Sequence, residues 1–138
     1  MSTRRTFTAS TLATTLALGL ASAGAIALAP TASAKGLEVR ASGSCPAATT
    51  WKLKAKQDDT RIQVELEVDS NRVGQSWNVV LSDNLVVVYR GTQVTAAPSA
   101  SFTVRRLVSN RAGSDVIRAS ATNSATGAVC RGALTYPG

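Results

Sequence analysis

The chain has 138 residues, 44% hydrophobic and 17% charged, a balance that excludes a disordered tail and a collagen-like repeat. It carries 15 Lys and Arg against 8 Asp and Glu, a net charge of +7. With two Cys and no His, it has no Ser-His or Cys-His nucleophile and no imidazole metal site.

Residues 1–34 read as an export signal peptide. Arg4 and Arg5 make a positive start, Thr11 to Leu28 is uncharged and built of small and apolar residues, and Ala32-Ser33-Ala34 fits an A-x-A cleavage site. Thr3-Arg4-Arg5-Thr6-Phe7 is similar to a twin-arginine export pattern, and ordinary Sec export fits equally well. Cleavage after Ala34 leaves Lys35–Gly138, lowers the charge from +7 to +5 by removing Arg4 and Arg5, and leaves no membrane span. A secreted, extracellular location follows. In an oxidising compartment Cys45 and Cys130 form the one disulfide a single pair allows.

Residues 35–48 are expected to be an N-terminal extension leading into a domain at 49–138. There the dominant period is two. Trp51, Leu53 and Ala55 alternate with Lys52, Lys54 and Lys56; Ile62, Val64, Leu66 and Val68 alternate with Gln63, Glu65, Glu67 and Asp69. A four-residue turn at Gln57–Thr60 would place Lys52 opposite Glu65 and Leu53 opposite Val64, so the lysine stripe meets acids on its neighbour. Trp77, Val79 and Leu81 form the next inner face. A two-residue turn at Asp83-Asn84 then leads into Leu85–Tyr89, with Val86 and Val88 inward. Ser99–Leu107 follows, and the Arg105-Arg106 doublet predicts a bulge or a strand end. Ile117, Ala119 and Ala121 pair with Leu134, Gly132 and Cys130. That inner face is small in its middle, which predicts that Trp51 and Trp77 fill the space.

Seven short strands separated by polar turns predict an all-β, seven-stranded antiparallel β-sandwich. The strand order, with Trp77 on the third, resembles an immunoglobulin-like or fibronectin-III-like domain. So does the run Asp115–Asn123 followed by Thr126-Gly127 and Cys130. With its leader, the chain resembles small secreted proteins of actinobacteria. That resemblance implies no activity and transfers no functional residues. The cysteines depart from the antibody pattern, because they lie before the first expected strand and on the seventh.

No catalytic motif, cofactor site or metal site is expected. Glu65 and Glu67 project from one strand at about 7 Å, but the wet face of a small sandwich offers no cleft to tune them. The chain therefore reads as a non-catalytic binding module at or near the cell envelope, a monomer or weak homodimer. Two surfaces are candidates. Val80, Leu85, Val87 and Tyr89 form an outward apolar stripe for a protein partner, unless Lys35–Ser44 or the tail near Tyr136 folds over it. Arg90, Arg105, Arg106, Arg111, Arg118 and Arg131 are candidate contacts for an anionic cell-wall polymer. Nucleic acid is disfavoured by the scarcity of aromatic residues. Alternatives are a protease inhibitor presenting Thr95-Ala96-Ala97-Pro98-Ser99 or, last, a carboxylate-based hydrolase using Glu65 and Glu67.

Overall fold

A computed structural model describes residues Gly36 to Gly138; the segment 1–34, expected to be an export signal peptide, lies outside the described residues. All seven expected strands are present, and an eighth precedes them. They are β1 (Glu38–Cys45), β2 (Thr49–Asp58), β3 (Arg61–Asp69), β4 (Ser76–Asp83), β5 (Val86–Val94), β6 (Ser101–Ser109), β7 (Asp115–Asn123) and β8 (Val129–Tyr136). They form two four-stranded antiparallel sheets, ordered β1-β2-β3-β6 and β5-β4-β7-β8. The inner faces meet over Leu53, Ile62, Val64, Leu66, Val79, Leu81, Ile117 and Leu134. The molecule is an immunoglobulin-like β-sandwich, in which the chain leaves the second sheet after β5 and β6 lies beside β3 in the first.

The extra strand, Glu38–Cys45, lies within the segment 35–48 expected to lead into the fold. Val39, Ala41, Gly43 and Cys45 alternate with Glu38, Arg40, Ser42 and Ser44, so the segment has a period of two. Its inward residues are mostly small, which makes that signal faint. β1 pairs along the outer edge of β2, from Glu38↔Lys56 to Cys45↔Thr49. Its end is tied to the start of β8 by the Cys45–Cys130 disulfide. Tyr136 Oη donates to Leu37 O at 3.5 Å at the opposite end of the same two strands. β1 and β8 therefore run antiparallel to each other, one on each sheet, closing one side of the sandwich.

The β2–β3 hairpin turns in two residues, Asp59-Thr60, with Asp59 at φ 53°. This slides the pairing by two positions from the four-residue turn. Lys52 faces Glu67, Lys54 faces Glu65 and Leu53 faces Leu66, while every side chain stays on its expected face. The β7–β8 register is as expected, with Ala121↔Cys130, Ala119↔Gly132 and Ile117↔Leu134. Trp51 fills the space above those small residues. A Cβ on Gly132 would lie 2.5 Å from Trp51 Cζ3, and one on Gly43 would lie 2.8 Å from Trp51 Nε1. Trp77, on the same sheet as those small residues, does not fill that space; it is 1% exposed and packs across the sandwich against Phe102 of β6, at 6.5 Å between ring centres.

The β4–β5 hairpin departs from expectation. Its turn is Asn84-Leu85, both at positive φ (46° and 71°), the geometry of a tight hairpin turn with left-handed central residues. Asn84 tolerates that backbone and is locked to β7: its N–H donates to Val116 O, and its Oδ1 accepts from the Val116 N–H at 2.9 Å. The pairing then slips by one between Ser82↔Val87 and Leu81↔Tyr89, leaving Val88 as the extra residue of a bulge. The bulge lies here and not at Arg105-Arg106. β6 pairs with β3 without interruption from Ser101 to Ser109.

Candidate functional site

The strand pairings decide which arginines share a surface. Arg90 faces Val80, Val80 faces Ser120, and Ser120 faces Arg131, one row across the outer side of β5-β4-β7-β8. In the neighbouring row Val87 faces Ser82, Ser82 faces Arg118, and Arg118 faces Ala133. Arg90, Arg118 and Arg131 are all exposed. Strand spacing puts Arg90 and Arg131 roughly 14 Å apart at the backbone, with Arg118 diagonal to Arg131. Among the described residues this face bears no Asp or Glu. Of the acids, Glu38 lies on β1, Asp58 and Asp59 at the β2–β3 turn, and Glu65, Glu67 and Asp69 on β3. Asp83 and Asp115 are buried.

The opposite outer face is charge-balanced. Lys52 Nζ lies 2.9 Å from Glu67 Oε1 and Lys54 Nζ 3.0 Å from Glu65 Oε1. Arg105 pairs with the other oxygen of Glu65. Partial burial pushes the Glu65 carboxyl up, but hydrogen bonds from Arg105 and Lys54 outweigh it and hold the group below its ordinary value. The two carboxylates proposed for hydrolysis are thus each held in ion pairs.

Of the six arginines singled out from sequence, three converge. Arg105 is engaged by Glu65, which faces it across β3 and β6, a non-local pairing that hairpin arithmetic misses. Arg106 lies over the Tyr89 ring, 4.3 Å from its centre, and closes the side of the sandwich between β5 and β6. It points inward on an edge strand, a placement that discourages another strand from docking there. Arg111 lies near the buried Asp83 carboxyl, which it steadies.

The apolar stripe is likewise divided. Val80 and Val87 stand among the three arginines, and Leu85 is 79% exposed at the hairpin tip. Tyr89 turns inward because of the Val88 bulge; it packs against the core, and its hydroxyl accepts a hydrogen bond from Gln93 Nε2 at 2.7 Å. Neither segment expected to cover the stripe does so: β1 belongs to the other sheet, and Tyr136 is buried. The Thr95–Ser99 loop is anchored at its start, where buried Thr95 exchanges backbone hydrogen bonds with Gly74 and Gln75. Ala96 to Ser99 are exposed.

At the end of the arginine-bearing sheet lies a buried carboxyl pair. Asp115 Oδ1 accepts from Asn84 Nδ2 at 3.1 Å, while Asp83 Oδ1 has no partner. Burial pushes the Asp83 pKa up, the neighbouring Asp115 charge adds to the rise, and Arg111 opposes it. A carboxyl whose pKa rises on folding stabilises the fold fully below its unfolded value of 3.8 and loses that contribution as pH climbs through the raised value. Asp83→Asn is expected to raise neutral-pH stability by about 1 kcal/mol, because a buried charge that Arg111 only partly offsets is gone. It should also flatten the acid side of the stability profile. Denaturant titrations from pH 3 to 7 check this; a variant that is less stable at pH 7 would show that the ionised carboxylate is wanted.

A trough of about 650 Å³ runs along the β1–β8 side. Trp51 and Ser42 border it from one sheet, and Val80, Arg118, Ser120 and Arg131 from the other. Sequence reasoning named Trp51 as a space-filler and Arg118 and Arg131 as charges, but nothing in the alternation joins them. No set of three or more Cys, Asp or Glu side chains converges as a metal site among the described residues. Compared with known proteins, the chain matches no family model, no curated protein and no solved structure.

Proposed function

We propose that the protein is a secreted, non-catalytic binding module that holds an anionic polymer of the cell envelope on the outer face of β5-β4-β7-β8. The observation that carries this reading is the convergence of Arg90, Arg118 and Arg131 on a face without a described acidic residue. Uncompensated guanidinium groups attract polyanions and pair with their carboxylates or phosphates through forked hydrogen bonds. The leader pattern and the Cys45–Cys130 bridge support export, since disulfides persist in oxidising compartments.

Retention on isolated wall fragments is expected to fall steeply as salt rises, and to drop at least about tenfold when Arg90, Arg118 and Arg131 are all changed to Gln. A control carrying Lys52→Gln, Lys56→Gln and Arg61→Gln, with the same loss of charge on the opposite sheet, should retain most of its binding. Equal losses in the two variants would reduce the reading to net charge, and salt-independent retention would overturn it. Exposure of Leu85, Val86 and Val87 at the hairpin tip favours a second reading, contact with a protein partner.

A further inference from the structure

The geometry points to the Trp51 trough as a subsite for one sugar ring of an acidic glycan, with the ring's carboxylate paired to Arg118 or Arg131. This deepens the arginine-face reading and rests on it. Trp51 is half-buried and borders the trough, while Trp77 is 1% exposed and shut inside the core. The indole is held in place where Gly43 and Gly132 leave room for it, so its orientation is set before any ligand arrives. A pre-positioned aromatic surface costs little entropy to engage.

The trough's chemistry is mixed in a way that bare charge attraction does not need. Trp51 offers apolar surface to the C–H face of a pyranose. The Ser42, Ser82 and Ser120 residues that border it bring hydroxyl groups able to donate and accept with sugar hydroxyls. Arg118 and Arg131 supply the planar forks that suit a carboxylate. Its volume, about 650 Å³, lies in the range of small-ligand sites. A flexible polyphosphate would use the arginines and leave the indole and hydroxyls idle. A nucleic acid strand would want several stacking rings, and this face offers one.

The test compares oligogalacturonate with linear polyphosphate of matched charge, following affinity and tryptophan emission at two salt concentrations. Oligogalacturonate is expected to bind about tenfold more tightly and to shield Trp51 from acrylamide quenching, with no shielding by polyphosphate. Ala133→Leu, a neutral change at an exposed trough residue, should abolish the galacturonate advantage and leave polyphosphate binding unchanged. Trp51→Phe should remove the emission change, since Trp77 is sealed from solvent. Equal affinities with unaltered Trp51 emission would overturn the subsite and leave the arginine-face reading standing. A galacturonate advantage that survives both variants would also overturn it, and failure of both polymers to bind would overturn the two readings together.

Discussion

Replacing Cys45 and Cys130 with serine is expected to cost about 4.5 kcal/mol of folding stability. The bridge joins positions 85 apart in sequence, and chain-entropy arithmetic for a loop of that size gives about this figure. A domain of this size has a net stability of about 5–15 kcal/mol, so the double variant should lose roughly a third to nine-tenths of its margin. The loss should be uneven. β1 has a hydrogen-bonded neighbour on one side only, β2; beyond that it is held by the half-buried packing of Val39 and Ala41, the covalent tie to β8 and the weak Tyr136–Leu37 contact at the far end. Amide exchange in the variant should therefore rise first along Glu38–Ser44, and only later in the β3 and β7 strands. Denaturant curves of oxidised, reduced and serine forms provide the check. A reduced protein within about 1 kcal/mol of the oxidised one would show that packing of β1 suffices without the bridge.

Gly132→Ala is the second large effect, and its sign is the informative part. In an ordinary strand, alanine is favoured over glycine by roughly 0.5–1 kcal/mol, because glycine loses more backbone freedom on folding. Here the new methyl would lie 2.5 Å from Trp51 Cζ3 and 2.8 Å from Cη2. The indole has no easy way out, since it is already fitted so tightly against Gly43 on β1 that a methyl there would lie 2.8 Å from it. Overpacking of this kind costs about 1–3 kcal/mol, and Gly132→Val should cost more. A double-mutant cycle isolates the cause. In a Trp51→Ala background, which lowers stability by itself, Gly132→Ala should become neutral or stabilising. A penalty that persists without the indole would place the constraint in the backbone of β8 instead.

The parts of the fold that sequence discloses are those fixed by local chemistry. The β7–β8 register follows from a turn whose parts are all local. Asn123 Oδ1 accepts from the amides of Ala125 and Thr126, Asn123 N–H donates to Ala128 O, and Gly127 takes φ 71°. The β2–β3 pairing is legible in parity but not in register, since Gln57 to Thr60 is polar throughout and composition does not separate a two-residue from a four-residue turn. Leu85 to Tyr89 is apolar at every position and has no parity to read, so the Val88 bulge and the inward turn of Tyr89 leave no trace in it. β1 hides for another reason: two of its four inner positions are Ala41 and Gly43, the latter because Trp51 needs the room, and small residues carry little hydrophobic contrast. The candidate site is the least legible. Six arginines stand out in the sequence, but Arg105 is separated from Arg118 and Arg131 only by which sheet each strand joins.

The segregation of charge between the two broad sides has a consequence for how the molecule approaches a surface. One side carries its cations beside their counter-charges and the other does not, so the domain has a lateral electric moment as well as a net charge. Near a negatively charged boundary, within about 8–10 Å at physiological ionic strength, it feels a torque as well as an attraction. Encounter is thereby biased toward landing flat on the guanidinium side, and the paired lysine side is left turned to the medium.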